Sequence, residues 1–492
     1  MHPLDIQFND TRKAKYLQLA QVIRNAIIKG DLVAGTKLSS ARVMAQAYQL
    51  NRHTIMNALQ LLVAEGWLVS FQRSGYCVTE SLPIQSSVDA IGTPKLAAKP
   101  YQFSQQLETP QTMELNQYRF NFAGGLPDLT HFPYKEFKRA MSQVFNYLDV
   151  TKLHYGDISG VAELKLQIEG YLQKARNLKP ADLLICNGSQ EALFLIAKAF
   201  IGKGDFVASE TLGYPPARKA FAACGAKLID IKQDDEGLCV DALKAQLEYY
   251  PIKLLYLTPL HQYPTTVTLS PTRRLQIYQL CYAHNVMIIE DDYDHEFHYR
   301  CQPLQPMAAD DPAGIVIYLS TFSKIMFSAA RIGYICAAPQ VIAQLTAWKQ
   351  LMNHKNDVVM QLVVAQWMKE GGFERHLKRM TKLYKQRYED MDSYLTMLQA
   401  KGYPIEYIKP DGGMAVWVNF NRPVKHLKKA LAQLDVYVQT EPEFYFQGGV
   451  RSLKPDKQSY VRLGFAGQSS EKMRQGLVLI VNVLYGQKLI SE

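Results

Sequence analysis

The run Ser320-Thr321-Phe322-Ser323-Lys324 is followed, seven residues after its lysine, by Arg331-Ile332-Gly333-Tyr334. A lysine ending a buried strand, with hydroxyls beside it and an arginine downstream, is what a phosphorylated aldehyde requires. Lys324 can form the Schiff base while Thr321, Ser323 and Arg331 donate to the phosphate. A lone lysine near a strand end would be read as a surface residue; here other parts of a site accompany it. Glu290-Asp291-Asp292-Tyr293 directly follows the apolar run Val286 to Ile289. Asp291 at a strand's C-terminal end can pair with a protonated ring nitrogen, and Tyr293, two positions on, can donate to a phenolic oxygen. The competing reading of this acidic stretch, with Asp294 and Glu296, is a metal cluster, but no dedicated ligand spacing accompanies it. Asn187-Gly188-Ser189-Gln190-Glu191 opens a helix, so Gly188, Ser189 and Gln190 can present N–H groups to a phosphate. Tyr214, just past another strand, is either a ring to stack on the cofactor or a core tyrosine.

The elements that must carry these residues are strand, turn and helix, repeated over more than 200 residues. Leu183 to Cys186, Phe206 to Ala208, Leu254 to Leu257, Val286 to Ile289 and Ile315 to Tyr318 are continuous apolar runs, as in a mainly parallel sheet buried on both faces. Helices between them give an α/β layer architecture. After about residue 355, long helices mix with short strands (Ala415 to Val418, Tyr460 to Leu463), which predicts a smaller α+β subdomain.

The N-terminal part is organised differently. Leu19, Val22, Ile23, Ala26 and Ile27 form the stripe of an amphipathic helix that Gly30 stops. A serine at Lys37-Leu38-Ser39-Ser40 can cap a second helix, Ala41 to Tyr48. After a break at Gln49 to Arg52, Ile55, Leu59 and Leu62 mark a third. Trp67 to Val69 and Tyr76 to Val78 read as a hairpin with a basic tip at Arg73. Three helices and a hairpin predict a winged helix-turn-helix over residues 10–80. Residues 81–117, rich in Ser, Pro, Gln and Thr, read as a linker, and 118–485 as the α/β domain. The net charge is +10 over 492 residues, and residues 1–80 hold nine Lys/Arg against five Asp/Glu, a balance that suits an anionic partner. Seven scattered cysteines without a C-x-x-C pair fit neither a disulfide framework nor a zinc site and imply a reducing compartment. The start lacks signal-peptide design, and no apolar run reaches the ~18 residues of a membrane helix, so a soluble cytoplasmic chain without membrane partners is expected. The ending Gln487 to Glu492 resembles part of an epitope tag and is set aside.

Residues 118 to about 485 resemble the fold type I aminotransferases, and the whole chain resembles the MocR-type branch of the GntR regulators, in which such a domain is fused to a winged helix-turn-helix. The resemblance rests on YLQLAQVIRNAIIKGDL, KLSSARVMA, NRHTIMNALQLLVAEGW, FAGGLPDLTHFP, HYGDISG, NGSQEAL, TPLHQYPTT, IIEDDYDHEFHY, STFSK with Arg331, and YVRLGFA. It implies pyridoxal 5'-phosphate as cofactor, with Lys324 as the Schiff-base lysine, Asp291 at the ring nitrogen, Tyr293 at the ring oxygen and Tyr214 stacked. Gly188, Ser189, Thr321, Ser323 and Arg331 take the phosphate, which Tyr155 reaches from the partner subunit of a homodimer. Arg462 holds an effector carboxylate, unless it is spent in a structural salt bridge. Two departures stand out. Enzymes of this fold carry asparagine before Pro-Thr-Gly, whereas this chain has Tyr263 before Pro264-Thr265-Thr266, which argues against efficient transamination. The usual Leu-Pro-Ser-Ser is here Leu38-Ser39-Ser40-Ala41, which makes the entry to the second helix less rigid.

Three functions follow. The first is a regulator of double-stranded DNA responding to a small amine or amino acid: Arg52, His53 and Thr54 begin the recognition helix and meet base edges, while Arg42 and Arg73 contact phosphate and the minor groove. The second is an aminotransferase with an auxiliary N-terminal domain. The third is a protein that reports the level of its own cofactor. Retention of Lys324, Asp291 and Arg462 does not separate them; the helix-turn-helix favours regulation.

Overall fold

Leu19, Ala20, Ile23, Ala26 and Ile27 fall on one side of helix α1 (Lys15–Ile28) and are buried there, whereas Val22 is only half-buried. The computed structural model that places them describes residues 13–71, 75–82, 117–154, 156–300, 302–446 and 458–486. The chain divides into two compact units, Met1–Gln106 and Leu107–Glu492, so the division falls within the stretch read as a linker.

In the first unit, α1 packs with α2 (Ala41–Ala47) and α3 (Arg52–Ala64) around Met44, Ile55, Leu59 and Leu62. Both later helices begin on a side-chain cap: Ser40 Oγ accepts from the Val43 amide at 3.4 Å, and Asn51 Oδ1 from the His53 amide at 2.9 Å. The second helix is one residue shorter than expected, since Tyr48 has already left helical geometry. Strands β1 (Leu68–Phe71) and β2 (Gly75–Val78) pair antiparallel. A bridge from Lys37, in the loop between α1 and α2, to Cys77 ties that loop to this wing. Three helices and a two-stranded wing make the unit a winged helix-turn-helix. Arg73 lies outside the described residues.

The second unit is built on a seven-stranded sheet in the order Asp182–Cys186, Gly333–Ala337, Val316–Thr321, Met287–Asp291, Ile252–Leu257, Phe206–Glu210, Lys227–Ile231. Every neighbouring pair is parallel except the two made by Gly333–Ala337. Five strands are the apolar runs legible in the sequence. The edge strand Lys227–Ile231 and the antiparallel Gly333–Ala337 were not singled out, the latter because its residues read as the tail of the Arg331 motif. Helices cover both faces, and in a parallel sheet the turns that leave the strand C-termini gather along one edge. A smaller four-stranded sheet carries Ala415–Asn419 between Glu406–Tyr407 and Tyr460–Gly464, with Gln439–Thr440 outermost beyond Tyr460–Gly464. Among the described residues no helix is long and apolar enough to cross a membrane.

Candidate functional site

Along that edge lies a cavity of about 210 Å³, lined in part by Lys324, Asp291, Tyr293, Tyr214, Ser189, Gln190, Thr321, Ser323, Arg331 and Arg462. All ten were singled out in the sequence, from six separate stretches of chain.

Lys324 stands one 3-10 turn (Phe322–Lys324) beyond the strand Val316–Thr321, not at the strand end as expected. The turn forms because the Thr321 hydroxyl caps it, accepting from the Ser323 amide at 3.2 Å. Lys324 Nζ donates to the Gly125 carbonyl at 3.1 Å. Burial pushes its ammonium below the usual lysine range, against the opposing pull of Asp294 and Asp291, and a neutral amine is the nucleophilic form.

Asp291 closes the strand Met287–Asp291 and is buried. Its Oδ2 accepts from the Tyr256 hydroxyl at 2.7 Å, whereas Oδ1 has no hydrogen-bond partner. Burial pushes this carboxyl up to about 7. Tyr293 donates its hydroxyl to the His261 carbonyl at 3.0 Å, and Tyr214 meets Tyr263 edge-on at 5.2 Å. The acidic neighbours of Asp291 are otherwise engaged. Asp292 takes Arg176 Nη2 and the Tyr318 hydroxyl, each at 2.8 Å, and is held at about 2 despite its burial, chiefly by the Arg176 charge. Asp294 pairs with His261 at 2.7 Å. Among the described residues no group of three or more His, Cys, Asp or Glu converges as metal ligands.

Opposite the lysine, Gly188 takes φ of 77° ahead of the helix Ser189–Phe200. A Cβ there would stand 3.1 Å from the Arg331 guanidinium, which itself donates to the Asn187 carbonyl at 2.5 Å. Bare backbone, a helix N-terminus and a guanidinium thus converge as an anion cradle. Gln190 turns its amide to the Pro216 carbonyl at 3.3 Å.

Arg462, on the strand Tyr460–Gly464, is 1% exposed, and its Nε and Nη1 have no hydrogen-bond partner. Its guanidinium lies 4.5 Å from the Tyr263 ring centroid. Among the described residues no ion pair to Arg462 is found. Gly124 is bare for this reason: a Cβ would fall 1.3 Å from Arg462 Nη1. Sequence reasoning assigned no role to Gly124, Gly125, Tyr256, Thr258 or Ser328, which also line the cavity. The signals were a double glycine and one phenol in an otherwise apolar run. Tyr155 lies outside the described residues. In the first unit Arg42, on α2, and Arg52 and His53, on α3, are exposed, while Thr54 is half-buried.

The family model for aminotransferase class I and II matches residues 119–480, and that for bacterial regulatory proteins of the gntR family matches residues 15–78. The chain is 28% identical to the probable rhizopine catabolism regulatory protein MocR of Rhizobium meliloti, over 94% of this chain and 92% of that protein. It is 30% identical to aromatic-amino-acid aminotransferase 1 of Thermococcus litoralis, over 73% of this chain and 86% of the relative. Among solved structures, the multiple substrate aminotransferase of Thermococcus profundus superposes with a TM-score of 0.69 at 28% identity, covering 76% of this chain and 92% of that one. Pyridoxal 5'-phosphate is the cofactor of this fold family, and the residues fit it: an amine of lowered basicity, a buried carboxylate with a free oxygen, and an anion cradle share one cavity. The chain therefore belongs to the aminotransferase class I and II family and carries that domain behind a GntR-type helix-turn-helix, the arrangement of the MocR-type regulators.

Proposed function

We propose that the protein is a cytoplasmic transcription regulator that binds operator DNA through residues 10–80 and senses a small amine or amino acid, or the cofactor itself, at Lys324 in the domain 118–485. Residues 81–117 serve as the linker. The observation that carries this reading is a GntR-type head on the same chain as an aminotransferase-type domain whose cavity gathers Lys324, Asp291, Ser323, Arg331 and Arg462.

When bound, pyridoxal phosphate supplies an aldehyde that condenses with an amine and a ring that withdraws electrons. This chain's residues do the rest. Lys324 provides the amine that an effector displaces. Asp291 takes the ring nitrogen, Tyr293 the ring oxygen and Tyr214 the ring face. Gly188, Ser189, Gln190, Thr321, Ser323 and Arg331 hold the phosphate, with Tyr155 reaching it from the second subunit of a homodimer. Arg462, buried with donors unspent, clamps the effector's carboxylate, since an unpaired buried guanidinium gains most from a planar anion. On the head, Arg52, His53 and Thr54 read bases while Arg42 and Arg73 contact the backbone and minor groove. An effector acts only through a difference in its affinity for two conformations of the protein.

A second reading, an aminotransferase with an auxiliary head, is favoured by the co-location of Lys324, Asp291 and Arg462, the set such an enzyme needs. Tyr263 in place of the enzymes' asparagine speaks against efficient turnover.

The test is a footprint and transcription assay of wild type and Arg462→Ala with cofactor, with and without a panel of amines, beside a keto-acid assay. The expected outcome is an amine that changes the wild-type footprint at least several-fold and leaves Arg462→Ala unaffected, with little keto acid formed. Borohydride reduction should leave the cofactor on the Lys324 peptide. Rapid multiple turnover with an unchanged footprint favours the aminotransferase.

A further inference from the structure

Asp291 divides its two oxygens, one for the protein and one for the cavity. Tyr256 lies on the strand Ile252–Leu257, parallel to Met287–Asp291 and in register with Ile289. Two residues beyond Ile289, Asp291 faces the same side of the sheet as that tyrosine, which lets the phenol reach Oδ2 at 2.7 Å. The Tyr256 ring is 1% exposed and meets Phe221 edge-on at 5.8 Å, which fixes the direction of its hydroxyl. Burial and the Asp291 carboxylate push the phenol far above the usual tyrosine range, so it remains a donor at every working pH.

We propose that Tyr256 is the positioning residue of the ring-nitrogen contact: it occupies Oδ2, fixes the carboxylate plane and leaves Oδ1 as the acceptor the cofactor's ring nitrogen meets. The inference rests on the assignment of Asp291 to that nitrogen. Its physical content is a balance. Burial and the nearby Asp292 and Asp294 disfavour charge on Asp291, while the Tyr256 donor and the Lys324 cation favour it. Only the ionised form can hold a protonated ring nitrogen, and Tyr256 is the one side chain among the described residues that donates a hydrogen bond to it.

The experiment compares wild type, Tyr256→Phe, Asp291→Asn and the double variant as full-length protein. It reads the pH profile of the bound cofactor's visible absorption and the cofactor's dissociation constant. Tyr256→Phe keeps the ring and its packing. It should move the pH midpoint by about one unit and weaken cofactor binding roughly tenfold, the scale of one charge-assisted hydrogen bond. The double variant should behave as Asp291→Asn alone, because Tyr256 acts through Asp291. An unchanged profile in Tyr256→Phe beside a shifted one in Asp291→Asn overturns this inference and leaves the Asp291 assignment standing. An unchanged profile in Asp291→Asn removes that assignment and this inference with it. Should the Phe chain fail to fold, Tyr256→His, which retains an N–H donor, is read in its place. A measurable shift smaller than that of Asp291→Asn supports the role, and an unchanged profile or a shift equal to that of Asp291→Asn overturns it.

Discussion

Asp291 and Asp292 are neighbours in sequence, equally buried, and driven in opposite directions by what stands beside them. Arg176 holds Asp292 ionised as part of the frame, while Asp291 keeps a free oxygen for a ligand. Glu210 shows the same effect of burial behind the site. It accepts from Gln262 at 3.1 Å and from Thr258 at 3.3 Å, yet burial pushes it up to about 7. Between the unfolded value of about 4.3 and this folded value, the native state holds a proton the unfolded chain has released. Stability from this group is therefore complete below about 4 and declines as pH rises toward 7. Glu210→Gln should flatten that decline, by an amount on the order of 2 kcal/mol, when urea unfolding is compared at pH 5 and pH 7.5. An equal decline in variant and wild type would show that Glu210 does not titrate there.

Helix α3 illustrates what an element contributes beyond its residues. Asn51 caps α3, so the helix begins at Arg52, and Arg52 and His53 sit in its exposed first turn. Arg52→Ala should abolish preference for operator over random DNA, and binding by wild type should weaken steeply with salt, as expected when several cations displace counterions. The cofactor spectrum should not change. Retained operator preference in the variant, measured by gel shift, would remove Arg52 from the reading face. Much at this scale was legible in the sequence, because stripes at helical spacing and unbroken apolar runs are direct records of burial; α1, α3 and five of the sheet strands follow from them. What was not legible depends on partners distant in sequence. Gly333–Ala337 is no more apolar than the other strands, but its insertion antiparallel between Asp182–Cys186 and Val316–Thr321 is a matter of topology. Tyr256 looked like one more buried strand residue, since its role depends on a carboxylate 35 positions away. Lys324 was found by residue type, but the turn that carries it past the strand end was not.

For the whole molecule, the segments flanking position 155 are held by two lysines. Lys349, fully buried, donates to the carbonyls of Ile158 and Ile185 at 2.6 and 2.7 Å. Lys355 donates to those of His154 and Lys152 at 2.7 and 3.2 Å. If Tyr155 completes the partner's phosphate site, Tyr155→Phe and Lys324→Ala should each weaken cofactor binding as homodimers. Mixed dimers should regain one tight site, built from the lysine of one chain and the tyrosine of the other, and equilibrium dialysis of the mixture would detect it. No recovery would place Tyr155 in its own subunit's site. One consequence of the sheet's topology concerns the order in which this molecule is made. The strand that leads to the anion cradle, Asp182–Cys186, pairs among the described residues with Gly333–Ala337 alone, which leaves the ribosome about 150 residues later. The head, with short-range contacts, can fold while that closure is pending. A nascent or truncated chain that stops short of Gly333–Ala337 would then present the folded head before its larger sheet is closed, and cofactor capture would follow that closure.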